Sequence, residues 1–192
     1  MRYLSLITLL ACTVAFTTGG CLSRAIKEGM GKARGPAGIY MPIQPLSPIK
    51  NAPVLASYRN FEMGKITDDI GSRAPGELMY YLPRAFDTQL GKKKLPMERG
   101  GKTLIVRGEI IHYESAGTVA NVMGPLEEVI CRTELVDKDT GKVLGVANCI
   151  GRTQETVNQG VEKKAQGLAK AMVSWIDAHY PKAGRENLEE EE

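Results

Sequence analysis

Histidine occurs only twice in the 192 residues, cysteine four times and tryptophan once, and aromatics make up 6% of the chain. So few imidazoles and thiols leave little material for a metal site or for a base beside a nucleophile. Neither sign of charge prevails, because 25 Lys and Arg face 22 Asp and Glu for a net +3. With no basic stripe interleaved with aromatics, the chain lacks the electrostatic footprint of a nucleic-acid binder. Long apolar runs are also missing. The longest, Leu4 to Phe16, has 13 positions, and a spanning helix needs about 20. What remains is the composition of a folded domain, 43% hydrophobic and 24% charged.

That apolar run follows Arg2 and precedes Thr17, Thr18, Gly19 and Gly20, the layout of a secretory signal over residues 1–20. Small residues directly before Cys21 resemble the lipobox of bacterial lipoproteins, although Thr18 stands where that family usually has Leu. The resemblance implies cleavage before Cys21, its acylation (a palmitate-type anchor) and a chain held at a membrane. A rival box, Leu9-Leu10-Ala11-Cys12, leaves too short a signal. Leu22, where Asp commonly marks inner-membrane retention, implies the outer membrane, facing the periplasm. The competing reading is an ordinary secreted protein with an incidental Cys21.

Residues 21–52 read as a lipidated, Pro- and Gly-rich tether, with Pro36, Pro42, Pro45, Pro48 and Pro53 crowded together and no strand or helix period. The apolar residues Ile39, Tyr40, Met41, Ile43 and Leu46 leave open a second reading, a linker draped over the domain. Residues 53–181 then read as a single α/β (α+β) domain in β-α-β-β-β-α order. A small mixed or antiparallel sheet carries a long C-terminal amphipathic helix on one face.

The elements follow from periodicity. Val54 to Met63 alternates as a strand. Pro75 opens a helix in which Leu78, Leu82, Phe86 and Leu90 recur every four residues, with Pro83 expected to kink or split it and Gly91 to end it. Lys92 to Lys94 then read as a solvated run at the helix's negative end. Thr103 to Glu114 is a strand with Leu104, Val106, Gly108, Ile110 and His112 on one face. Val129 to Val136 and Lys142 to Ile150 flank Asp137-Lys138-Asp139-Thr140-Gly141, a hairpin whose Gly141 supplies a positive φ. From about Gln154 to Tyr180, Val157, Val161, Ala165, Leu168, Met172, Trp175 and His179 form one apolar helical stripe, and Gly160 and Gly167 allow close approach to the sheet. Residues 182–192 read as an acidic disordered tail.

If Asp139 to Gly141 form a three-residue loop, Cys131 faces Cys149 across the hairpin. An exported chain meets an oxidising compartment, so the pair is a candidate disulfide, against two buried thiols; any other loop length turns the sulfurs apart. No catalytic motif stands out. Arg99-Gly100-Gly101-Lys102-Thr103 ends like a phosphate loop but leads into a strand, where a phosphate-cradling loop must lead into a helix. His112, Glu114 and Ser115 make at most a forced constellation for a hydrolase.

The segments Leu104 to Ile110, Glu134 to Asp137 and Asp139 to Leu144, with the loop between the strands and the terminal helix, resemble a family of uncharacterised bacterial lipoproteins. The element order is distantly similar to periplasmic domains of the curli-secretion lipoprotein and of lipoproteins that activate peptidoglycan synthases. This implies a non-catalytic adaptor or assembly factor that contacts another envelope protein through an edge strand or the Ser115–Pro125 loop, without cofactor or metal. The alternative is an oligomeric secretion or pore-associated subunit.

Overall fold

The computed structural model describes residues 36–71, 73–98, 100–114, 128–153 and 160–182. Cys12, Cys21, the signal, the Ser115–Pro125 loop, Val157 and the acidic end lie outside them.

The hairpin organises the sheet. β4 (Glu128–Asp137) and β5 (Val143–Arg152) pair antiparallel, and β3 (Thr103–Tyr113) pairs antiparallel with β4 on its other side. β2 (Asn60–Asp68) lies parallel to β3. Parallel neighbours need a crossover, which α1 (Gly76–Lys92) supplies. α2 (Gly160–Ala178) closes the order. The mixed α+β domain and the expected β-α-β-β-β-α succession are therefore found from residue 60 onward.

One strand more precedes them. β1 (Ala37–Gln44), inside the expected tether, pairs antiparallel with β5, so the sheet runs β1-β5-β4-β3-β2. Prolines masked it in the sequence. Pro42 removes a donor, which only an edge strand or a bulge tolerates, and β1 is an edge strand with a register shift between Pro42 and Gln44. The domain thus takes in residues assigned to the tether. The strand expected at Val54 to Met63 is displaced as well. Residues 54–57 form turns, and β2 begins at Asn60.

Both helices pack side by side on one face of the sheet. Leu78, Leu82, Phe86 and Leu90 of α1 are buried, matching their period of four. Pro83 does not split α1, which continues to Lys92. The stripe Ala165, Leu168, Met172 and Trp175 of α2 is buried as expected, as is His179 just past the helix end, with Val161 packed at its margin. Lys164, which is not part of that stripe, is buried too, and its ammonium donates to the Glu114 carbonyl and sits 4.4 Å over the Tyr113 ring. Burying a large apolar side chain contributes about 1.5–3 kcal/mol, so Leu168, Met172, Trp175 and Ile176 alone hold α2 strongly.

Glycines set how closely α2 approaches. A Cβ on Gly151 would come within 2.7 Å of the Lys164 carbonyl, and one on Gly167 within 2.7 Å of the Ala37 carbonyl. Gly160 makes no such contact; its φ of +74° instead begins the helix.

Candidate interaction surface

The chemistry expected to be weak is dispersed in the fold. His112 was expected beside Leu104 and Ile110 on the core face. A bulge between Ile110 and His112 rotates it outward, where it is exposed and has no hydrogen-bond partner among the described residues. His179 is buried, with Nδ1 3.0 Å from the Trp175 carbonyl. Ser115 lies outside the described residues. The phosphate-loop mimic leads into β3, with Gly100 at φ +86°. Among the described residues no cluster of His, Cys, Asp or Glu is arranged to hold a metal.

Asp137 is the main polar node, and nothing in the sequence analysis assigned it a role. Its carboxylate accepts from the Tyr58 hydroxyl at 2.7 Å and pairs with the Lys102 ammonium at 2.8 Å. The other oxygen accepts from the Asp139 and Thr140 amides and the Thr140 hydroxyl at 3.0–3.1 Å. These bonds, Lys102 first and Tyr58 second, hold its carboxyl well below the usual range. Burial, then the bond to Asp137, pushes the Tyr58 hydroxyl up to about 12. The D-x-x-T-G pattern is thus a turn lock that also ties the 53–58 segment and the start of β3 to the hairpin.

Cys131 and Cys149 face one another, as expected, and both are buried, free thiols in the structure. The route to that register differs from the expected one. Asp137 pairs with Lys142 around a four-residue loop, and a register shift between Leu135 and Val136 restores the alignment. Burial pushes both thiols up to about 12. Gly108 is needed here, since a Cβ there would lie 2.9 Å from the Cys131 sulfur.

The face of the sheet away from the helices carries the surface of interest. Toward β2 and β3 it is charged, with Arg107 on Glu134 and Lys138 on Glu62, each at 2.8 Å. Toward β1 it turns apolar. Ile39, Ile150 and Ile130 lie in register across β1, β5 and β4. Ile150 is buried yet stands apart from the core cluster under the helices. On the edge strand itself, Ile39, Met41 and Ile43 are 45%, 51% and 55% exposed. Their opposite neighbours point to α2, where Tyr40 stacks on Trp175 with centroids 6.5 Å apart. The period of two that the sequence analysis did not find in this segment is therefore present, with both of its faces apolar.

No protein-family model matches the chain, and no curated protein does. Among solved structures it is similar to a PelC variant dodecamer from Paraburkholderia phytofirmans, at 13% identity and TM-score 0.48, over 74% of this chain and 97% of that one. A second crystal form of that dodecamer gives 14% identity and TM-score 0.47, over 74% and 98%. A minor lipoprotein from Acinetobacter baumannii is similar at 14% identity and TM-score 0.30, over 59% and 92%.

Proposed function

We propose that this chain is a lipid-anchored envelope protein, held at Cys21, that binds another envelope protein through the apolar end of its open sheet face. The role is non-catalytic, and the outer membrane facing the periplasm is its place. One observation carries the reading. An edge strand presents three large apolar side chains, Ile39, Met41 and Ile43, beside the ladder of Ile150 and Ile130. Such a row on an edge is an aggregation hazard unless a partner covers it. An extended partner segment can add to the edge, with apolar side chains meeting alternate pockets.

The position of β1 supports the same reading. Fifteen steps of chain separate Cys21 from Pro36, at most about 50 Å when fully extended. A surface so near the anchor faces neighbours in or on the membrane.

The test is a photo-crosslinking residue at Met41 in cells, with a second at Tyr80, which is 75% exposed on α1, as control. Adducts to another envelope protein from position 41 and not from 80 support the proposal. Adducts only between copies of this chain would replace it with the oligomeric-subunit reading. Equal labelling from both positions would remove the surface from consideration.

A further inference from the structure

A second surface lies on the opposite side of the molecule. α1 and α2 pack against one another, and the groove lined by residues of both encloses about 640 Å³. Its charged lining is Arg84, Lys92, Lys93 and Lys170 against Glu162. Lys93 engages Asp177 at 3.1 Å, and Glu162 accepts from the Gln166 amide. The Lys170 ammonium is 3.5 Å from the Pro36 carbonyl. Arg84, Lys92 and Lys170 thus line the groove with no carboxylate partner among the described residues.

We infer that this groove binds an extended acidic peptide segment of a partner protein. Arg84 and Lys92 are eight residues apart on one helix, about 12 Å at 1.5 Å per residue. Side chains on one side of an extended chain recur about every 6.6 Å, so carboxylates at three alternate positions span a matching length. A single phosphate would meet only one end of such a row. Gln89 and Gln166, also in the lining, carry both amide donors and acceptors, which suits a peptide backbone between the charges. Lys92 lies in the last turn of α1, where the helix dipole favours a cation, so folding alone accounts for it. Arg84 in mid-helix and Lys170 on α2 have no such explanation, and together with Lys92 they make the lining cationic.

The experiment is fluorescence anisotropy with the full chain and a labelled octapeptide of alternating Glu and Ser, with the Gln-for-Glu peptide as control. Binding at low salt that weakens as salt rises is expected, with about tenfold loss in the Arg84→Glu, Lys170→Glu double variant. The emission of Trp175, the one tryptophan, verifies that each variant is folded. If that variant unfolds, Arg84→Gln with Lys92→Gln takes its place, with a loss of about threefold expected. Equal binding of the Gln peptide, or unchanged binding by the folded variants, would overturn the inference. So would binding seen only after Glu189 to Glu192 are changed to Gln, which would assign the groove to the chain's own acidic run.

Discussion

Gly38 on the edge strand lies against Gly167 on α2. A Cβ on Gly38 would press onto the Gly167 carbonyl oxygen and come within 2.5 Å of the Ala171 nitrogen. Backbone on both sides cannot retreat as a flexible side chain would. Gly38→Ala is therefore expected to destabilise by about 1–3 kcal/mol through overpacking. Gly91→Ala, with nothing within 4 Å and no positive φ, is the matched control and is expected to leave stability unchanged or raise it. Urea unfolding followed by Trp175 fluorescence measures both. Equal stability of the two variants would show that β1 is not clamped by α2.

Asp137 should govern the acid limb of stability. Its folded carboxyl is held below its unfolded value, so the fold gains stability above the unfolded range near about 4 and loses it as pH falls from there. Asp137→Asn should lower the melting temperature at pH 7 and flatten its decline between about pH 5 and 3. Calorimetry across that range checks both. A parallel decline in wild type and variant would remove Asp137 as the titrating group.

Cys131 and Cys149 should be inert while the domain is folded. With thiols pushed up to about 12 by burial, little thiolate exists at neutral pH for exchange or alkylation. A thiol reagent at pH 8 should therefore label neither in the native, reduced protein and both after unfolding. Protein taken from an oxidising compartment should gain about 2 Da on reduction if the facing pair has bridged before burial. Labelling of either residue in the native state would contradict the packing around Gly108.

Met41→Lys and Ile43→Lys separate stability from recognition. Both side chains are more than half exposed, so each change should alter stability by no more than about 0.5 kcal/mol. Capture of the envelope partner should fall sharply. Ile150→Lys, by contrast, buries a charge and should destabilise outright. A retained partner with both edge lysines in place would refute the proposed surface.

Cys21→Ser should release the chain from membranes into the soluble envelope fraction. Intact mass of the wild-type protein extracted from membranes should begin at Cys21 and carry acyl mass. Fractionation that leaves the serine variant membrane-bound would sink the anchor.

Periodicity alone marked α1, β3, the hairpin and α2, because each buries a regular set of residues: Leu78 to Leu90 by fours, Leu104 to Ile110 by twos, Ala165 to Trp175 by threes and fours. Gly141 was legible from turn chemistry, and its φ is +69°. The candidate surface was legible only as unusually apolar residues in an apparent tether. Pro42, Pro45 and Pro48 there speak for linker, and a strand is decided by its partner across the sheet rather than by itself. The Cys131–Cys149 register was expected from a loop one residue too short and rescued by a bulge that no local signal announces.

Composition and pattern by themselves determined an α+β domain and the order of its helices and central strands. These depend on spacings along the chain, which burial on one face imposes directly on the sequence. Only the tertiary structure decided that residues 37–44 complete the sheet, that His112 turns outward and that Asp137 binds three segments together. It also decided that Arg84 and Lys170 share a groove. Each of these joins residues distant in sequence, through backbone pairing or charge contacts that no local period encodes.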